Sequence, residues 1–167
     1  MRLIMSIAFG WLLLVFATLC APTGAAAPSR DFDWPLQPRP VVVRGFDKPE
    51  HDWLPGHRGV DLAGSPGQSV LAAGDGIIAF AGTVAGKPVV SIDHPGGLRT
   101  TYEPVKDPIP LGRKITRGTS IGTLESGHPG CPSPACLHWG ARRDHDYLDP
   151  LGLLHRTPLR LKPVPPS

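Results

Sequence analysis

The sequence has no run of basic residues and little charge imbalance. Its 167 residues include 17 lysines and arginines against 14 acidic residues, and the two signs are mixed along the chain. Proteins that bind nucleic acid concentrate lysine and arginine on one surface, because contacts with phosphate supply much of their affinity. The absence of such a cluster argues against nucleic acid as a partner.

Cysteine is scarce, with three in the chain. Cys20 lies in an N-terminal segment that we expect to be removed, which leaves Cys131 and Cys136. In an exported protein, an even pair of cysteines is expected to form a disulfide. The loop closed by this bond would be very short, so the chain-entropy model gives it about 2 kcal/mol, and its effect would be mainly local.

The N-terminal segment has the pattern of a signal peptide. Arg2 precedes an apolar run over residues 3–20, and the small residues of "TGAAAPSR" place a cleavage site near Ala25 or Ala27. Residues 1–27 are therefore predicted to direct export. Two alternatives remain: the run is long enough to stay as an uncleaved anchor, and Cys20 could carry lipid, although the bulky residue before it disfavours this.

Proline and glycine are abundant, by contrast, at 21 and 20 residues. They recur at short intervals between apolar stretches, which is typical of an all-β domain with many turns. We predict a β-sandwich domain over residues 41–155, an extended linker at 28–40 and a proline-rich tail at 156–167. One short helical turn is expected near the end of the domain, where Asp149 is a candidate N-cap and Pro150 occupies the first helical position.

Two segments of the chain resemble each other. "VLAAGDGIIAFAG" and "ITRGTSIGTLESG" each read as an apolar strand, a glycine-containing turn and a second apolar strand. Lipoyl and biotinyl carrier domains use such paired hairpins, but they need a lysine at the hairpin tip. Here the tips are Gly74-Asp75-Gly76 and Arg117-Gly118-Thr119. A swinging-arm carrier is therefore disfavoured, and an antiparallel β-sandwich of paired hairpins is the predicted fold.

Histidine, aspartate and cysteine form a candidate site. "GHRGVD" separates His57 from Asp61 by four positions, which on a straight strand would be about 13 Å, so a bend at Gly59 is needed to bring the two together. "CLHWG" places Cys136 and His138 two positions apart on a strand, so their side chains share a face. On these residues alone, a surface histidine beside a turn aspartate is the commoner explanation.

Four longer stretches add to these residues. "GHRGVDLAGSPGQSVLAAGDGIIAFAG", "VVSIDHPGGLRTTYEPV", "LGRKITRGTSIGTLESG" and "CLHWG" follow one another over about residues 40–155. In this order they resemble the M23 zinc metallopeptidases, or LytM/lysostaphin-type endopeptidases, which cut peptide cross-links in bacterial peptidoglycan. The resemblance implies a sandwich built on a duplicated motif and zinc held by His57, Asp61 and His138. Two imidazoles and one carboxylate leave an open position on zinc, as catalytic sites do.

The resemblance also shows two departures. The family's other active-site histidines, which assist proton transfer, fall on Pro104 and Cys136. Losing one general acid–base group typically costs about 10²–10⁴ in rate. Candidate substitutes are His128, on the loop that the disulfide would tie, and Glu103, although strand alternation predicts that Glu103 points to the opposite face unless the proline forms a bulge. A free Cys136 thiolate beside His138 is a third candidate, as a zinc ligand.

Two functions follow from these expectations. The first is a secreted or cell-wall-associated zinc endopeptidase acting on peptidoglycan peptides with an altered catalytic apparatus. The second is an inactive module of the same fold that binds peptidoglycan or activates another cell-wall hydrolase. A sandwich with no metal role is disfavoured, because all three ligand positions are filled. Membrane contact is expected only through an uncleaved signal segment.

Overall fold

The structure is a computed structural model that describes residues 31–51 and 53–154. The predicted signal peptide and proline-rich tail lie outside the described residues. Within these ranges the chain forms short β-strands and two 3-10 turns, and no helix is long and apolar enough to span a membrane. The strands are β1 (Val42–Arg44), β2 (Gly59–Gly64), β3 (Ser69–Leu71), β4 (Gly76–Val84), β5 (Lys87–Asp93), β6 (Leu98–Glu103), β7 (Val105–Lys106), β8 (Lys114–Ile115), β9 (Ser120–Leu124), β10 (Ala135–Arg143) and β11 (Asp146–Leu148).

The strands form two antiparallel sheets. The larger sheet has the order β1-β2-β10-β6-β5-β4-β8, with β11 paired to β10, and the smaller has the order β3-β9-β7. Apolar side chains from both sheets belong to one core: Val60, Tyr102 and Trp139 come from the larger sheet, and Val70 and Ile121 from the smaller. This arrangement confirms the antiparallel β-sandwich predicted from the spacing of turns.

The two similar segments pair with each other rather than within themselves. In the first segment β3 joins the small sheet and β4 the large one, and in the second β8 joins the large sheet and β9 the small one. The pairs are β3 with β9 and β4 with β8. The glycine turns therefore carry the chain between sheets. Hairpins lie instead at β4–β5, β5–β6 and β10–β11, and the β5–β6 hairpin turns through the 3-10 turn Pro95–Gly97.

The segment predicted to be a linker contributes to the core. Leu36 is fully buried and belongs to the core cluster. The Asp33 N–H donates to the Ala73 carbonyl at 2.8 Å, and the Leu71 N–H donates to the Pro35 carbonyl at 2.8 Å. The packed unit therefore includes residues that precede the predicted start of the domain.

The helical turn predicted near the end of the domain is present as the 3-10 turn Pro150–Leu154. The Asp149 Oδ1 accepts a hydrogen bond from the Leu151 N–H at 2.9 Å, as expected for an N-cap. Leu151, Leu153 and Leu154 pack against the core. The cap thus starts a turn whose leucines pack against the core.

Strand alternation decides which side chains leave the core. On β10, Leu137, Trp139 and Ala141 are buried in the sandwich, while His138 points to the other face of the sheet. On β2, Val60 and Leu62 are buried in the core cluster and flank Asp61. Because β2 and β10 are neighbours, the residues that alternate away from the core meet on the outer face of the large sheet.

Tyr102 belongs to a buried hydrogen-bond network whose contribution to stability can be measured. The Tyr102 hydroxyl, on a fully buried side chain, accepts the Ala73 N–H at 3.0 Å and shares a hydrogen bond with the Thr100 hydroxyl at 2.9 Å. Tyr102→Phe is expected to lower the free energy of unfolding by about 1–3 kcal/mol, because a buried N–H loses its partner. Urea unfolding at pH 7 measures this, with Tyr147→Phe as the control. Equal stability of the two variants would contradict it.

The same variant has a defined pH dependence. Burial raises the pKa of Tyr102 from 10.0 to about 12. A raised folded-state pKa gives stability that is fully present below the unfolded-state pKa and is lost as the pH rises through the folded-state value. The stability difference between the wild type and Tyr102→Phe should therefore shrink between pH 10 and pH 12.

Candidate metal centre

Three side chains converge on the outer face of the large sheet. His57 Nε2 lies 3.0 Å from Asp61 Oδ1 and 3.0 Å from His138 Nδ1, and His138 Nδ1 lies 2.9 Å from Asp61 Oδ1. The three atoms form a nearly equilateral triangle. Tetrahedral zinc with bonds of about 2.0–2.1 Å would separate its ligand atoms by about 3.3 Å, so this triangle is within a few tenths of an ångström of the required size.

Local backbone structure brings His57 into the triangle. Asp47 and His57 pair as an isolated bridge, with N–H to carbonyl distances of 2.9 and 2.7 Å, and the chain then bends at Arg58 before β2 begins at Gly59. The bend that the spacing of His57 and Asp61 requires is therefore present. His57 Nδ1 donates to the Gly45 carbonyl at 2.6 Å. A carbonyl can only accept, so a neutral His57 presents the lone pair of Nε2 to the site.

Strand register brings Asp61 to His138. The two residues are direct partners in the β2–β10 ladder, so their side chains emerge on the same face. Gly59 and Gly140 are also partners, and a Cβ atom at Gly59 would lie 2.5 Å from the Trp139 carbonyl oxygen and 2.7 Å from His138 Nε2. Glycine at this position therefore leaves the space that the His138 ring occupies.

The charge of Asp61 suits a cation. Its side chain is 6% exposed, and burial alone raises the pKa. The hydrogen bond with His138 and the neighbouring His128 and His57 imidazoles outweigh burial, so the pKa of Asp61 lies below its ordinary value. Asp61 is thus an anion at neutral pH, which is the form that binds metal. A carboxylate oxygen and imidazole lone pairs at about 3 Å repel one another unless a cation or a proton lies between them, so the residues fit a divalent metal.

The position of Glu103 corrects the sequence analysis. Strand alternation was expected to turn Glu103 away from the site, with position 104 facing it. Instead, Glu103 pairs directly with His138, so Asp61, His138 and Glu103 form one row across β2, β10 and β6. Pro104 is buried. The expectation relied on the family pattern, in which position 104 faces the site. The observed register of β6 against β10 places Glu103 on that face instead. The Glu103 carboxylate lies 2.7 Å from Lys87 Nζ.

The loop between β9 and β10 brings a fourth side chain to the triangle. His128 Nε2 lies 3.4 Å from Asp61 Oδ1, and the His128 ring stacks against His138 with centroids 6.0 Å apart and planes inclined by 16°. The expected disulfide is present between Cys131 and Cys136, whose Cα atoms are 5.7 Å apart. Cys136 is therefore not the free thiolate that could bind zinc. Of the two candidate substitutes, His128 approaches Asp61 while Glu103 pairs with a lysine.

Two partners in this region were not found from the sequence. The Gly45 carbonyl fixes His57, and Lys87 binds Glu103. Neither belongs to a motif, and both are remote in sequence from the side chain they contact. A backbone carbonyl carries no residue signature at all, so only the fold could reveal its role.

A family model described as peptidase family M23 matches residues 55–150. Uncharacterized proteins of Mycobacterium tuberculosis and Mycobacterium bovis are 54% identical over 157 residues, which is 92% of this chain. The chain spans 63% of the length of these curated relatives.

Solved structures share the fold at low identity. Helicobacter pylori Csd3 matches with a TM-score of 0.62 and 24% identity, over 79% of this chain and 37% of that one. A zinc-containing peptidase from Vibrio cholerae matches with a TM-score of 0.56 and 24% identity, over 67% and 36%. A complex of SpoIIIAH and SpoIIQ matches with a TM-score of 0.62 and 21% identity, over 72% and 98%. These likenesses concern the fold.

Proposed function

The chain belongs to peptidase family M23, and we propose that it is an exported zinc endopeptidase that hydrolyses the peptides of bacterial peptidoglycan with an altered set of proton-transfer groups. The observation that carries this proposal is the triangle of His57, Asp61 and His138, with separations of 2.9–3.0 Å. Two imidazoles and one carboxylate are a ligand set of catalytic rather than closed structural zinc sites.

Each ligand has a separate task in this proposal. Asp61 supplies the negative charge that offsets part of the metal charge. His57 is held by its bond to the Gly45 carbonyl, which fixes the ring orientation and tautomer, as is usual for metal-bound histidines. His138 is the most exposed of the three, with 20% of its side chain accessible, and it borders the side from which a substrate arrives. Bound zinc would act as a Lewis acid toward water and the peptide carbonyl.

Export is part of the same proposal. Residues 1–27 serve as the signal peptide, and removal of this segment leaves Cys131 and Cys136 in an oxidising compartment. The disulfide between these two cysteines supports that placement, because stable disulfides are rare in reducing compartments. Peptidoglycan lies outside the cytoplasmic membrane, so an exported enzyme would reach this substrate.

The proposal predicts metal-dependent release of peptides. Purified peptidoglycan is incubated with the full chain loaded with zinc, and with the same protein after chelator treatment. New amino termini, detected by dansylation and mass spectrometry, should appear only with zinc and should return when zinc is added back. Equal release with and without zinc would contradict a metallopeptidase.

The same assay tests the alternative when zinc binding and sedimentation with peptidoglycan are measured beside it. Pro104 and Cys136 stand where the family has proton-transfer histidines, and this observation favours an inactive module that binds peptidoglycan or activates another cell-wall hydrolase. Such a protein would bind zinc and sediment with peptidoglycan but release no amine from it. That result would contradict the proposed hydrolase and support the inactive module.

A further inference from the structure

We propose that His128 is a catalytic residue of this site and that the Cys131–Cys136 disulfide positions it beside the metal ligands. The inference rests on the proposed function, because it assigns a group to the hydrolysis step. It concerns a loop histidine outside both positions where the family pattern places its proton-transfer histidines. Three observations carry it: the burial of His128, its tautomer and its tether.

Burial distinguishes His128 from its neighbours. Gly127 and Pro129, on either side, are exposed, whereas the His128 side chain is only 8% exposed. Its Nε2 lies 3.4 Å from Asp61 Oδ1. A loop histidine with no role would be expected to extend into water, as the exposed His145 does. The loop instead turns this one imidazole toward the ligands.

The hydrogen bonds of His128 define its tautomer. Its Nδ1 lies 3.0 Å from the Pro129 carbonyl oxygen, which can only accept, so Nδ1 carries the proton. A neutral His128 therefore turns the lone pair of Nε2 toward the metal centre. A general base needs such a lone pair within hydrogen-bond reach of the water it activates.

The other candidates are less suited to this role. Pro104 has no titratable group, and Cys136 is bonded to Cys131. The Glu103 carboxylate shares the face of the ligands but lies 2.7 Å from Lys87 Nζ. Among these residues, only His128 presents a basic nitrogen beside the triangle, with its Nε2 3.4 Å from Asp61 Oδ1.

The disulfide links the loop that carries His128 to β10, the strand that carries His138. The Cys131 N–H donates to the His128 carbonyl at 3.3 Å and closes a turn. Cys131 is bonded to Cys136 on β10, two residues before His138. The path from His138 through the disulfide to His128 is thus shorter than the path along the backbone alone. The disulfide limits how far His128 can move from the ligands.

The step that this geometry supports is a balanced hydrolysis. The water oxygen forms a bond with the carbonyl carbon of the peptide and gives one proton to His128 Nε2. His128 passes that proton to the amide nitrogen as the C–N bond breaks. One carboxyl group and one amine are formed, and His128 returns to its neutral form.

Variants of His128 test the inference in the full chain. His128→Ala and His128→Gln are compared with the wild type and with His145→Ala, which removes an exposed histidine. Zinc affinity is measured by competition with a chromogenic chelator, and kcat and KM by release of amine from purified peptidoglycan. Both His128 variants should keep zinc affinity within about threefold and lose about 10²–10⁴ in kcat with KM little changed. His145→Ala should behave as wild type.

Each result other than the expected one would overturn a specific claim. Full kcat in His128→Ala, with an active wild type, overturns the role of His128 and leaves the proposed function standing. A loss of zinc affinity as large as that of His138→Ala makes His128 a ligand and overturns the inference. An inactive wild type overturns the proposed function and the inference together.

The disulfide is tested by Cys131→Ala/Cys136→Ala. This double variant should keep its zinc affinity, because none of the three ligands is changed, but its kcat should fall at least tenfold because His128 is no longer held. Thermal unfolding establishes that the variant is folded. Unchanged kcat in the folded variant would show that the disulfide does not position His128. If the variant does not fold, Cys131→Ser/Cys136→Ser, whose side chains are closer in size to cysteine, gives the same comparison without leaving a thiol beside His138.

Discussion

His138→Ala is expected to lose zinc binding and all metal-dependent hydrolysis. Removing one of three ligands leaves His57 and Asp61 with an incomplete site. Changes to residues that merely support metal ligands already lower affinity by about 10–100-fold, so loss of a ligand itself should exceed 100-fold. Chelator competition measures the affinity, and amine release from peptidoglycan should fall to the level of the metal-free protein.

The stability of this variant separates metal loss from misfolding. Because His138 lies on the outer face of the sheet with 20% of its side chain accessible, its truncation should leave the core intact. Zinc at 100 times its Kd stabilises a protein by about 2.7 kcal/mol, if it binds only the folded state. Zinc should therefore raise the melting temperature of the wild type and of His145→Ala, but not of His138→Ala. A zinc-induced shift in His138→Ala equal to the wild-type shift would refute the ligand assignment.

Gly59→Ala is expected to damage the same site without removing any ligand. The new Cβ would lie 2.5 Å from the Trp139 carbonyl oxygen and 2.7 Å from His138 Nε2, closer than real contacts allow. The backbone must shift to relieve the contact with the Trp139 carbonyl, and the His138 ring must also move. We expect overpacking to cost about 1–3 kcal/mol of unfolding free energy, and zinc affinity to fall by about 100-fold as the ligand moves.

Gly152→Ala is the matched control for this variant. An added Cβ at Gly152 meets nothing within 4 Å, and the residue lies in the 3-10 turn at the end of the domain. The same chemical change there should leave zinc affinity unchanged and alter stability by less than about 1 kcal/mol. If Gly59→Ala binds zinc as tightly as Gly152→Ala, the contact with the His138 ring does not control the site.

The fold could be predicted largely because its signals are local. Proline and glycine marked the turns, and alternation of apolar and polar residues separated the faces of β10. Leu137 and Trp139 are accordingly in the core, and His138 is not. The exchange of strands between the two similar segments could not be predicted, because identical patterns do not say which strand of one segment pairs with which strand of the other.

The candidate site, like the fold, could be predicted from the sequence only in part. The motif spacing and the family resemblance named His57, Asp61 and His138, and these three side chains do meet. The predicted face of Glu103 was wrong, because the face depends on the register of β6 against β10. A shift of one residue in register transfers a side chain to the other face of a sheet. No local pattern in "TTYEPV" specifies that register.

By itself, the sequence determined the candidate metal ligands, the likeness to a peptidase family and the absence of that family's two other histidines, because residue type and spacing carry this information directly. The tertiary structure alone decided that His128 approaches Asp61 and that Glu103 lies beside His138. These placements depend on long-range pairing and on a loop closed by a disulfide, and the free energy that fixes them comes from contacts between segments far apart in the chain.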